Sequence, residues 1–253
     1  ALPIYSKTVY DLHMLILWIC TVIGIVVFGL MFYSIIKFRK SQGAQAAQWH
    51  ESIKVEVMWT LVPFLILVGI AVPATKALIM MEDVSNSDMT IKVTGYQWKW
   101  HYQYVDDGIS FFSTLTQSSN EARQLGSGID PTTVDNYLLD VDNYLVVPVD
   151  RKIRFLTTAG DVIHAWWVPA LGWKRDAVPG YINESWARIE EPGIYRGQCA
   201  ELCGKDHGFM PIVVQALPEA EYAAWVEKMK AETQQAARAD ETSTALELAA
   251  AGR

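Results

Sequence analysis

The stretch CAELCGKDHGFM, Cys199 to Met210, places two cysteines, a histidine and a methionine in the spacing C-x3-C-x3-H-x2-M. A disulfide is compatible with an oxidising compartment but leaves the histidine and methionine without a role. Structural zinc usually draws on C-x2-C pairs used twice, with no methionine. Thiolate, imidazole and thioether together favour copper. In blue-copper sites one loop supplies Cys, His and a weak Met, and a distant strand supplies a second His. His164, in DVIHAWWVP, is the candidate for that second histidine, and His101, set among strand aromatics, is its rival. The second cysteine departs from a one-copper loop. Two thiolates four residues apart can bridge two metal ions, and a bridged pair that shares one electron rearranges little on reduction. A site without an evident open position suits electron carriage rather than chemistry on a substrate.

The remainder of the 253-residue chain has to position that loop. Between Asp11 and Lys37 lie 25 residues whose ionisable side chains are only His13, Cys20 and Tyr33. At about 1.5 Å per residue such a helix crosses a bilayer core of about 30 Å. The 19 residues between Glu56 and Lys76 form a second span, with Pro63 and Pro73 expected to bend it. Lys37, Arg39, Lys40 and Lys54 lie between the spans, whereas only Lys7 precedes them. The positive-inside rule therefore predicts a cytoplasmic hairpin loop with both chain ends outside. A start at Ala1 rather than Met is compatible with a removed N-terminal signal. Cys20, alone in the first span, reads as an inert packing thiol.

Residues 1–81 are thus expected to be an N-terminal segment and transmembrane hairpin, 82–218 an external domain, and 219–253 a C-terminal helix fading into a mobile Ala-rich tail. In 82–218 the runs TIKVTGYQWKWHYQY, NYLLDV, YLVVPV, KIRFLTTA, VIHAWWVP, ARIEEPGIYRGQ and PIVVQAL are short, β-branched or aromatic, and separated by turn residues. They predict an all-β Greek-key sandwich or barrel. The polar stretch from Asp106 to Asn136 is expected to be an insertion with little regular structure. This domain holds 18 acidic and 11 basic residues, a net charge of −7. That balance argues against a nucleic-acid partner and suits a basic protein.

GQCAELCGKDHGFMPI, DVIHAWWVPALG, DAVPG and GYQWKW together resemble subunit II of the haem–copper cytochrome c oxidases, over about residues 10 to 225. The resemblance implies a cupredoxin-like domain with a binuclear copper (CuA) centre. It implies an oxidoreductase role in which electrons pass from cytochrome c to haem a in subunit I, where oxygen is reduced to water with proton translocation. Carried over, the copper ligands are His164, Cys199, Cys203, His207, Met210 and the backbone carbonyl of Glu201. The Glu201 side chain is expected on a magnesium ion at the interface with subunit I, and haems are expected only in that partner. Subunit III, membrane lipid and a bacterial inner membrane complete the implied setting, with the copper domain on the periplasmic side.

In YQWKWHYQY, period-two alternation puts Tyr96, Trp98, Trp100, Tyr102 and Tyr104 on one sheet face, which alone predicts core packing. The resemblance instead makes Trp98 the surface aromatic where cytochrome c delivers its electron, which requires a bulge or strand end near Lys99. Docking of a lysine-rich cytochrome calls for carboxylates, with Asp161 first and Asp106, Asp107, Asp140 and Asp142 after it. Gln103 stands where relatives often carry an acid, so the docking surface is expected to be weaker or shifted. Glu56, at the cytoplasmic end of the second span, corresponds to a glutamate at the mouth of a proton path into subunit I. A membrane-anchored copper chaperone is the competing class, disfavoured by two spans, Met210 and the strand-rich pattern. Quinol oxidase subunits lack the copper ligands, and nitrous oxide reductase is soluble with a large extra domain. The sequence has no C-x-x-C-H haem-attachment motif.

Overall fold

The computed structural model describes residues 4–48 and 50–233. They form two compact units, one over Lys7–Met80 and one that joins the residues up to Ser6 to those from Met81 onward. In the first, helices α1 (Ile4–Lys37) and α2 (Ile53–Glu82) are each long and apolar enough to cross a membrane, and the most apolar window of each has none of its residues buried. Trp18, Phe28, Leu30 and Leu67 point away from any protein cover, which is stable in lipid and not in water. α2 continues unbroken through Pro63 and Pro73. Cys20 is exposed on α1, so it packs against no protein core.

The second unit is a sandwich of two five-stranded sheets. One has the order β3 (Ile109–Ser113), β2 (Lys99–Tyr104), β1 (Met89–Tyr96), β5 (Ile153–Ala159), β8 (Asn183–Ala187). The other has β4 (Leu145–Pro148), β10 (Pro211–Leu217), β9 (Gly193–Cys199), β6 (His164–Val168), β7 (Trp173–Ala177). β1–β5 and β4–β10 pair in parallel and the other neighbours antiparallel. Between the sheets, Trp166 stacks on Phe155 with ring centroids 5.3 Å apart and meets Trp173 at 5.3 Å. The Trp166 indole N–H donates to the Tyr102 hydroxyl at 3.3 Å, satisfying a polar group that would otherwise be buried without a partner.

Several strand expectations need correction. TIKVTGYQWKWHYQY is not one strand but the hairpin β1–β2, turning at Gln97–Trp98. NYLLDV forms only a single bridge, Leu115 to Val141. The stretch after Asp106 is more regular than expected. It contains β3, helix α3 (Gln117–Ala122) and a 3-10 turn at Pro131–Thr133. The signal for β3 was present in Asp107-Gly108, where Gly108 takes φ 69° at a tight turn between β2 and β3. Strands β7 and β8 were missed because WKRDA and NESWA carry charges in mid-run. A helix over 219–233 packs Tyr222 and Val226 against the sandwich, and Trp225 lies 5.2 Å from the Tyr104 ring. The tail beyond 233 lies outside the described residues.

Candidate metal centre

Sheet pairing explains how His164 reaches a loop that starts 35 residues later. β9 and β10 are antiparallel neighbours, so Cys199 to Met210 is the connection at one end of that pair. β6 lies on the other side of β9, with Trp166 opposite Cys199, and the Ala200 N–H donates to the Ala165 carbonyl at 3.0 Å. His164 opens β6 and is fully buried beside the loop.

The loop side chains and His164 lie close together. Cys199 Sγ lies 3.8 Å from Cys203 Sγ, 4.0 Å from His164 Nδ1 and 3.4 Å from the Glu201 carbonyl. Cys203 Sγ lies 3.4 Å from His207 Nδ1 and 3.6 Å from Met210 Sδ. The donor atoms of His164, Cys199 and Cys203 lie within 4.8 Å of one another, His207 and Met210 join them through Cys203 and the Glu201 carbonyl through Cys199, and the two thiols are free. Both cysteines and Met210 are buried. His101 is elsewhere, on β2 with its ring 4.7 Å from Phe112.

This donor set fits a soft cation. Burial raises the Cys199 thiol pKa, but hydrogen bonds from His164 and from the backbone outweigh it, and the thiol is held below its ordinary value. Burial and the Cys199 charge push the Cys203 thiol up. Two thiolates this close repel in a medium of low dielectric unless positive charge lies with them. Imidazole and thioether donors on the same point match copper better than a hard ion.

The shell around the ligands is tightly determined. His164 Nε2 pairs with Asp161 Oδ1 at 2.9 Å, an arrangement that would leave Nδ1 as the donor atom toward a metal. The same carboxylate accepts from the Val162 N–H at 2.6 Å and the Gln97 N–H at 2.7 Å. Burial alone would raise the Asp161 pKa, but these three donors hold it below the usual carboxylate value. Gly95 lies under the imidazole, where an added Cβ would stand 2.8 Å from His164 Cδ2.

Trp98 sits in the Gln97–Trp98 turn rather than in the strand, so it escapes the alternation that buries Trp100, Tyr102 and Tyr104. Its half-buried indole donates to the Cys203 carbonyl at 3.2 Å, and Gln97 Nε2 donates to the same oxygen at 3.0 Å. The Trp100 indole donates to the Met210 carbonyl at 3.2 Å. The aromatic hairpin is therefore stitched to the ligand loop at both cysteine and methionine.

The structure separates the expected docking acids. Only Asp161 is bonded to the centre. Asp106 accepts from the Thr90 N–H, Asp107 pairs with Lys230 at 2.9 Å, Asp140 pairs with Arg196 at 3.0 Å, and Asp142 binds Thr114. The Glu201 side chain is exposed, and so is Glu56 in the first turn of α2. Gln97 and Gly95 were not anticipated as parts of the site. A glycine inside a strand often marks close approach, which was a usable signal for Gly95. Nothing in the spacing pointed to Gln97.

Comparison with known proteins gives a consistent outcome. Residues 89–217 match the family described as cytochrome C oxidase subunit II, periplasmic domain, and residues 1–77 match cytochrome C oxidase subunit II, transmembrane domain. The chain is 43% identical over 227 residues to a probable cytochrome c oxidase subunit 2 of Rickettsia prowazekii, covering 89% of this chain and 69% of that one. It is 37% identical over 242 residues to cytochrome c oxidase subunit 2 of Cereibacter sphaeroides, covering 91% and 80%. The crystal structure of the periplasmic domain of subunit II of cytochrome oxidase of Bradyrhizobium japonicum superposes with a TM-score of 0.52 at 43% identity. That match covers 59% of this chain and 98% of that one.

Proposed function

Because the chain belongs to the cytochrome c oxidase subunit II family, we propose that its sandwich domain holds a binuclear copper centre that receives electrons from cytochrome c. The observation that carries this reading is the gathering of His164, Cys199, Cys203, His207, Met210 and the Glu201 carbonyl around two cysteine sulfurs 3.8 Å apart, with His164, both cysteines and Met210 buried. Cys199, Cys203, His164, His207, Met210 and the Glu201 carbonyl would hold the two ions. When bound, the copper pair supplies one-electron storage between a reduced cytochrome c and haem a of subunit I.

The protein's own residues set the terms for that transfer. Asp161 fixes the His164 tautomer, and Gly95 lets the ring seat at full depth. A shell buried and bonded on several sides resists change in ligand positions, and small reorganisation favours fast transfer. Trp98 forms a half-exposed aromatic surface bonded directly to Cys203, so a donor docked there is one hydrogen bond from a ligand residue. We assign it the role of electron acceptance. The exposed Glu201 side chain, on the residue whose carbonyl faces the centre, is free to hold magnesium at the contact with subunit I. The acidic domain attracts a basic cytochrome, with Asp161 contributing charge despite its bonds. In this reading the hairpin loop faces the cytoplasm of a bacterial cell, Glu56 feeds protons to subunit I, oxygen is reduced there, and subunit III joins the complex.

The test is anaerobic mixing of the purified oxidase with reduced cytochrome c. Oxidation of the donor should be coupled to bleaching of a copper band, and Cys199→Ser should abolish that phase while the haem content stays at the parent level. Parent-rate transfer in Cys199→Ser would overturn the proposal.

A further inference from the structure

Within the segment between β3 and β4, the C-terminal end of α3 reaches the ligand loop through Arg123. Arg123 caps the C-terminus of α3, and its N–H groups reach two carboxyl or amide oxygens. Nε donates to Asn120 Oδ1 at 2.7 Å, and a terminal nitrogen donates to Asp206 Oδ1 at 3.2 Å. Its guanidinium carbon lies 4.2 Å from the centroid of the Phe209 ring. Asp206 caps the short 3-10 turn His207–Phe209 and Phe209 closes it, and the Phe209 N–H donates to the Asp206 carbonyl at 2.9 Å. A single side chain from 83 residues away thus grips the turn immediately before His207 and again just before Met210.

The grip has the features of a fixed contact. The side chains of Arg123 and Asp206 are only 20% and 17% exposed, so solvent screens the pair less than it would a surface pair. α3 is itself anchored: Ser119 is fully buried and its hydroxyl accepts from the Leu138 N–H at 3.2 Å. Asn120 holds the guanidinium plane in orientation. The arrangement uses both the edge and the face of that plane, which lysine cannot reproduce.

We infer that Arg123 is a positioning residue for the metal centre: through Asp206 and Phe209 it sets where His207 and Met210 present their donor atoms. The inserted segment is then a clamp on the ligand loop rather than a surface ornament. The inference rests on the copper reading above, and the two can fail separately.

The experiment uses the full chain in the purified oxidase, with parent, Arg123→Ala, Arg123→Lys and Phe209→Leu. Copper release to a strong chelator is followed well below the melting temperature, together with the copper electron paramagnetic resonance spectrum and its midpoint potential. Loss of a desolvated ion pair and a cation–π contact should speed copper release about tenfold in Arg123→Ala. Its spectrum and potential should shift. Arg123→Lys keeps charge opposite Asp206 and Phe209→Leu keeps apolar packing, so each should fall between parent and Arg123→Ala. A purely structural arginine would lower the melting temperature and leave spectrum, potential and release at parent values, which overturns the inference. If Arg123→Ala does not assemble, the other two variants decide on the same readouts. A parent without copper refutes the copper reading instead.

Discussion

Replacing Asp161 by asparagine separates two roles for one carboxylate. As a docking acid, Asp161 acts through its charge on the approach of a basic donor. As a partner of His164, it acts on the centre itself. Its Oδ1 accepts from His164 Nε2 and the Val162 N–H, and its Oδ2 accepts from the Gln97 N–H. An asparagine that keeps its oxygen toward His164 turns an NH2 group toward the Gln97 N–H, donor against donor. One charge-assisted bond, of about 1.5–3 kcal/mol, is lost, and the two retained bonds weaken by roughly 1 kcal/mol each as the charge goes. Asp161 is 31% exposed on its side chain, so water replaces part of the loss. The expected net cost is about 2 kcal/mol, or about 4–8 °C in the melting temperature of a domain of this size. Because the Gln97 turn also carries Trp98, the copper spectrum and midpoint potential should move as well. Differential scanning calorimetry, a redox titration and flash reduction across a salt series measure the three effects on one preparation. Weaker docking with a flatter salt dependence, but parent spectrum, potential and melting, would refute the assignment of Asp161 to His164.

Three further outcomes follow from the same geometry. Trp98→Phe keeps a ring but removes the N–H to the Cys203 carbonyl, whereas Trp98→Gln removes the ring. Flash kinetics should show transfer slowed at least about tenfold, equivalent to about 1.4 kcal/mol of barrier, in Trp98→Gln only, and equal rates in the two would exclude conduction through the ring. Gly95→Ala drives a methyl group to 2.8 Å from the buried His164 ring. An overpacking cost of about 1–3 kcal/mol and reduced copper occupancy are expected by metal analysis, and full occupancy at parent stability would contradict the packing argument. Glu56→Gln should slow oxygen consumption while cytochrome c reduces copper at the parent rate, and unchanged turnover across a pH series would remove Glu56 from the proton path.

Much of this was legible because it rests on local chemistry. The loop's spacing put Cys199, Cys203, His207 and Met210 forward together, and uncharged length named the two spans. His164 was found by donor type, but its approach depends on β6 pairing with β9, which no local pattern specifies. Alternation misplaced Trp98 because it assumes a continuous strand, and the hairpin turn at Gln97–Trp98 breaks the period at that residue. The carboxylates were the least legible. Asp161, Asp107 and Asp140 read as surface charge in sequence, yet each has a bonded partner distant along the chain or set by a loop. Arg123 gave no signal, since a lone arginine in a polar segment looks like a solvated residue.

The central claim is two coppers on one set of ligands, and metal analysis combined with electron paramagnetic resonance of the full chain in its oxidase tests it most directly. Two copper ions are expected in the sandwich domain, with hyperfine structure showing one unpaired electron shared equally by two copper nuclei, and with both features lost in Cys203→Ser. A single copper with hyperfine structure from one nucleus, or stoichiometric zinc at His164, Cys199 and Cys203, would contradict it.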